Sequence, residues 1–188
     1  MQFKNSKSHY GLISIALHWG MAVVIVGLFA LGYWMRGLSY YDEWYRFGPY
    51  IHKSVGILLA VTLLLRLLWR SINISPKDAD SLQAWEKRSA HAVHWLLYAL
   101  LVLIVTSGYL ISTADGRSIE VFTWFEVPAL LPSFANQEDV AGLVHEYLAY
   151  SIIGLALLHG LAALKHHFID KDNTLKKMLG TNRKDDEK

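Results

Sequence analysis

Five of the nine histidines, His18, His52, His94, His145 and His159, stand in or beside long apolar runs. An imidazole in such a run is costly and normally faces a bundle interior, a water path or a metal. His145 and His159 are tied to each other by helix geometry. Fourteen residues at roughly 100° each fall about 40° short of four turns, so both rings leave one face of a helix, about 21 Å apart along its axis. One helix therefore offers two ligand groups at two depths. The chain has no cysteine, which excludes disulfides, thiolate-bound zinc, iron–sulfur clusters and thioether attachment. Any metal chemistry must rest on His, carboxylate or Met.

Such rings need elements long enough to carry them. Of the 188 residues, 53% are hydrophobic, with seven Trp and ten Tyr, and the charge gathers in loops and tails. This is the pattern that membrane spans produce. Crossing a hydrocarbon core of about 30 Å takes roughly 20 apolar residues. Residues 11–35, 50–69, 91–112 and 143–164 meet that length. The expected organisation is a four-helix transmembrane domain over residues 1–170 and a solvated, charged tail over 171–188, without an internal repeat. The N-terminus runs into its apolar segment with no small-residue cleavage pattern, which predicts an uncleaved first span. The tail mixes Lys171, Lys176, Lys177, Arg183 and Lys184 with Asp170, Asp172, Asp185, Asp186 and Glu187. That mixture is no nucleic-acid arm, and membrane lipid is the expected surroundings.

Cation counting orients the spans. Lys4, Lys7, Arg66, Arg70, Lys77, Lys87, Arg88 and the seven Lys and Arg from Lys165 onward place 14 of 18 cations on one side, against Arg36, Arg46, Lys53 and Arg117 on the other. Both termini and the middle loop are thereby predicted to be cytoplasmic. The outer segment 115–142 carries Trp124, Pro128 and Pro132, the composition of a short interfacial excursion. With these directions His18 lies at the depth of His159, near the inner face, and His52 at the depth of His145, near the outer face. Two imidazoles fill both axial positions of a haem iron, leaving a centre that changes redox state without binding substrate. The competing reading is a polar seam or proton path of the kind found in transporters, although such paths more often mix His with intramembrane Asp or Glu, and the spans hold no acid but Glu146 at the outer boundary of the fourth. Glu146, beside His145 at the outer boundary, reads as an interfacial group or a partner of that ring. Gly20, Gly27, Gly56 and Gly154 interrupt bulky spans, which suits either a flat macrocycle or helix contacts.

His18-Trp19, Ile51-His52, His94, Leu158-His159-Gly160, Lys165-His166-His167-Phe168 and Lys171-Asp172-Asn173-Thr174-Leu175 together resemble the prokaryotic cytochrome b561 family, related to the dihaem cytochrome b subunits of nickel–iron hydrogenases and formate dehydrogenases. The resemblance covers nearly the whole chain. It implies an all-α bundle of four helices in the bacterial inner membrane, with two non-covalent haem b groups held by His18, His52, His145 and His159. Helix 3 then supplies no ligand. It also implies electron exchange with ubiquinone or another membrane quinone, and one type in the family is similar to a superoxide:ubiquinone oxidoreductase. Against superoxide, residues 115–142 hold five acids and one Arg, a poor funnel for an anion. Arg36, Arg46 and Lys53 partly offset this. A haem-binding subunit serving another redox partner is the alternative, and the periplasmic donor is open. For the quinone or proton site the inner end is expected, with His94 first, then His91 and His166, and His167 last. Lys165, Arg88 and Lys53 are candidate partners for haem propionates.

Overall fold

The computed structural model describes residues 2–77 and 82–181. Its four long helices are α1 (Leu12–Met35), α2 (Trp44–Ile72), α3 (Ala84–Ser112) and α4 (Gln137–Phe168). All four are long and apolar enough to cross a membrane. Their flanks expose Val23, Val26, Leu64, Leu65, Leu68, Leu157, Leu158 and Leu161. Side chains of this kind would be a liability in water but are the proper contact surface in lipid, where the helix satisfies its own backbone groups. Three of the helices extend well past the apolar runs. α2 begins at Trp44 rather than 50, α3 at Ala84 rather than 91, and α4 spans Gln137–Phe168 rather than 143–164. Hydropathy marks the lipid-length stretch alone, whereas helix-forming polar turns such as Glu86-Lys87-Arg88 carry the hydrogen-bond ladder beyond it.

A two-stranded antiparallel hairpin, β1 (Ile119–Val121) and β2 (Phe125–Val127), interrupts the otherwise helical chain. The mostly helical fold expected from the sequence holds, with this short hairpin added between α3 and α4. The pattern Ile-Glu-Val repeated as Phe-Glu-Val alternates with period two, which puts Ile119 and Val121 in the interior and Glu120 outside. The turn between the strands uses positive φ at Phe122 and Thr123, and the Trp124 amide donates to the Val121 carbonyl at 2.8 Å. Fully buried Ser54 latches the hairpin to α2, donating to the Glu120 carbonyl and accepting from the Phe122 amide.

The chain forms two compact units, and each long helix contributes to both. Unit 1 comprises the residues up to Met21, Leu63–Tyr98 and those from Gly154 on; unit 2 comprises Ala22–Thr62 and Ala99–Ile153. In unit 1 the N-terminal segment is tied down by Asn5, whose Nδ2 donates to the Ile74 carbonyl and whose Oδ1 accepts from the Gly11 amide and the Ser14 hydroxyl. Part of the stretch expected to be a solvated tail is ordered here. Residues Thr174–Leu179 form α5, which ends on Gly180 at φ +71°, the left-handed position that suits glycine. Trp19 Nε1 donates to the Met178 carbonyl at 3.0 Å, and Lys177 Nζ donates to the Lys77 carbonyl at 2.8 Å. Residues 182–188 lie outside those described.

Candidate functional site

In unit 1, α1 presents His18 and α4 presents His159, with ring centres 6.3 Å apart and planes at 70°. α3 adds His94, 5.1 Å from the His159 ring. α2 adds Arg66, whose side chain is half-buried. Arg66 Nη2 lies 3.0 Å from His18 Nδ1, its Nε donates to the Tyr98 hydroxyl at 3.0 Å, and its Nη1 donates to the Leu17 carbonyl at 3.4 Å. Arg66 and Arg70 both face the Tyr98 ring. A guanidinium can only donate, so His18 Nδ1 accepts in this geometry.

In unit 2, α2 presents His52 and α4 presents His145, with ring centres 6.1 Å apart and planes at 69°. His145 Nδ1 is 3.1 Å from the Ile104 carbonyl and 3.0 Å from Ser107 Oγ. The Ser107 hydroxyl gives its own proton to that same carbonyl. Its oxygen and the carbonyl are therefore both acceptors for His145 Nδ1–H, which leaves the Nε2 lone pair available to a metal. His52 Nδ1 is buried with no hydrogen-bond partner among the described residues. Both rings are seated on glycine: a Cβ at Gly32 would stand 3.2 Å from His52 Cε1, and one at Gly108 would stand 3.2 Å from His145 Cε1.

A cavity of about 780 Å³ opens between these helix segments of unit 2, with His52, Gly56, Gly108 and His145 in its wall. Arg36, Lys53, Asp115, Arg117, Glu120 and Glu146 add charged groups to its lining. Most of the cations are already engaged. Arg36 pairs with Glu146 and reaches the Tyr150 hydroxyl, and Arg117 pairs with Asp115. Glu146 thus serves Arg36 rather than the neighbouring His145.

These residues fit a bis-imidazole metal macrocycle. With metal–nitrogen distances of about 2 Å on either side, two opposed imidazoles have ring centres roughly 6 Å apart. Both pairs show that separation. The cavity has the volume and largely apolar wall of a cofactor site, and a Cβ at Gly56 would meet no protein atom.

Sequence reasoning selected the paired histidines but missed the residues that seat them. The glycines it singled out, Gly20, Gly27, Gly56 and Gly154, face open space, whereas Gly32 and Gly108 carry the rings. No spacing rule along one helix reveals a contact made from another. The proposed inner cluster is also divided. His94 meets His159, His91 is exposed on α3, and His166 Nδ1 lies 2.7 Å from Asp170 Oδ2 and 3.2 Å from Asp172 Oδ2. Lys165 sits 2.7 Å from both Glu86 and Asp170, so its ammonium is already compensated.

Long apolar helices carrying paired, half-buried imidazoles define a multi-pass membrane protein built for electron transport. The family model for prokaryotic cytochrome b561 matches residues 9–181, and the chain belongs to that family. It is 52% identical to cytochrome b561 homolog 2 of Escherichia coli K12 over 98% of each chain. It is 27% identical to a protein of Yersinia pestis named probable superoxide oxidase, covering 90% of this chain and 95% of that one. Cytochrome b562 of Cereibacter sphaeroides is 28% identical, over 90% of this chain and 94% of the relative. Membership makes this a haem protein of the bacterial inner membrane, with haem b as its cofactor. The histidine-lined transporter reading gives way to it.

Proposed function

We propose that the chain carries single electrons between a donor and membrane quinone, using two haem b groups, one ligated by His18 and His159 and the other by His52 and His145. The observation that supports this most directly is the matched ring separation of the two pairs, 6.3 and 6.1 Å. Haem b supplies an iron that takes up and releases one electron. The protein holds the imidazoles in place, and for His145 the Ile104 carbonyl and Ser107 fix which nitrogen is available. The cation distribution supports cytoplasmic termini. This puts the His52 and His145 ends of their helices toward the periplasm.

Quinone takes up two electrons and two protons, so a hydrogen-bonding group beside one centre is required. His94, with its ring against His159, is the side chain best placed for that role. Superoxide is a second reading for the donor, supported by the printed name of the Yersinia pestis relative. The cavity lining supports it less well, because Arg36 and Arg117 are each neutralised by a carboxylate. Alternatively, the chain delivers electrons only as the haem subunit of a larger assembly.

A haem assay with reduced-minus-oxidised spectra on the purified protein tests the core of the proposal. Two haem b per chain are expected, one remaining in His145→Ala and one in His18→Ala. Full haem content in either variant would overturn the ligand assignment. Mixing the reduced protein with a quinone analogue should reoxidise it, and His94→Ala should slow that step while keeping both haems. Failure of the isolated wild type to react would favour the subunit reading.

A further inference from the structure

The two histidine pairs differ in what surrounds the ligand rings, and that difference has a redox consequence. In unit 2 the His145 ring gives its Nδ1 proton to a carbonyl and a hydroxyl. Neutral acceptors of this kind push electron density onto the ring and make it a more basic ligand, which favours the oxidised, more positive metal. In unit 1 the group on the His18 ring is the Arg66 guanidinium. An arginine inside a membrane span is expensive and marks a functional position. This one comes six residues before the end of α2. It is anchored independently of the imidazole, through Nε to the Tyr98 hydroxyl and Nη1 to the Leu17 carbonyl.

Ligation of iron through His18 Nε2 requires the ring proton on Nδ1. That proton would meet the Arg66 N–H groups donor to donor, so the contact at Nη2 must open. The anchors to Tyr98 and Leu17 do not depend on the ring and keep the charge in the pocket. A fixed positive charge beside a metal favours its reduced form, and in a nonpolar span it is little screened. No carboxylate pairs with Arg66 among the described residues.

We infer that Arg66 is the residue that raises the reduction potential of the His18–His159 centre above that of the His52–His145 centre, so that a single electron on the protein rests at the former. This rests on the ligand assignment proposed above. The assignment and the inference fail in different ways.

The experiment is an optical redox titration of haem-loaded protein in detergent, made on single-centre variants. His145→Ala leaves the His18–His159 centre and His18→Ala leaves the other. The midpoint of the first is expected to lie above that of the second. Adding Arg66→Gln to His145→Ala should shift its midpoint downward, while Arg66→Lys, which keeps the charge, should hold most of the original value. An Arg66→Gln midpoint unchanged at full haem content would overturn the inference, as would the reverse order of the two single-centre proteins. Should Arg66→Gln fail to load haem, the order of the two single-centre midpoints and the Arg66→Lys value still decide it. Haem content other than one per chain in the single-centre proteins strikes at the ligand assignment instead.

Discussion

Gly108 lies so close to His145 that a Cβ there would stand 3.2 Å from the ring's Cε1 and 3.5 Å from its Nδ1. The absence of a side chain at this point of α3 lets the imidazole settle between Gly108 and its two acceptors, Ser107 Oγ and the Ile104 carbonyl. Gly108→Val would drive a branched side chain into the ring. Loss of about one haem per chain is expected, measured by haem extraction, while Gly108→Ala asks for a shift of only a few tenths of an ångström and should retain it with an altered spectrum. Unchanged haem content and spectrum in the valine variant would show that the seat is not needed.

Gly56 gives the opposite signature. A Cβ there meets no protein atom, yet the residue lines the unit 2 cavity. Replacing a helical glycine by alanine stabilises a helix by roughly 0.5–1 kcal/mol. Gly56→Ala should therefore raise the unfolding temperature of the haem-free chain while lowering its haem affinity. Both are accessible by thermal denaturation and haem titration of the same preparation, and a parallel change in the two quantities would contradict the expectation.

Ser54 tests the hairpin. Its hydroxyl is fully buried and bridges the Glu120 carbonyl and the Phe122 amide. Ser54→Ala leaves that amide without its acceptor, at a cost of about 1–3 kcal/mol. Limited proteolysis should then cut within residues 115–136 faster than in the wild type, with the four helices intact by circular dichroism.

Lys165 separates two roles. Its ammonium is held by Glu86 and Asp170, and exposed pairs of this kind add little to stability. Lys165→Ala should keep full haem content, whereas a propionate partner would not be dispensable.

Asp42 offers a pH test outside the spans. The Ser39 amide and hydroxyl donate to its carboxylate at 2.6 and 2.8 Å and hold its pKa below the usual value. A depressed folded-state pKa contributes stability that is fully present above the unfolded value of about 3.9 and disappears as pH falls through the lower folded value. Protection of the Ser39 amide against hydrogen exchange should accordingly be flat from neutral pH down to about 5 and decline only at more acid pH. A midpoint near neutrality would point to another group.

The sequence carries the histidine pairing because two simple regularities suffice for it: a fourteen-residue spacing on one helix and an alternation of helix direction. The spans are legible for the same reason, since lipid thickness sets a minimum apolar length. Gly32, Gly108, Ser107 and Arg66 are not legible from sequence as partners of His52, His145 and His18, because each approaches from a different helix and the rotation of one helix against another is set by packing. The hairpin was legible in principle through the repeated apolar-Glu-apolar triplets at 119–121 and 125–127, but three-residue strands fall below the window that reveals periodicity.

The contact from Trp19 to the Met178 carbonyl bears on the order in which the protein can be made. Unit 2 is complete in sequence once Ile153 has been synthesised, whereas unit 1 draws on the first residues of the chain and on everything from Gly154 to α5. Chains emerge from the ribosome N-terminus first. The helix bearing His18 is therefore made well before its partner segment around Met178 and must wait in the bilayer until that segment has been translated. The His52–His145 unit can assemble while translation is still under way.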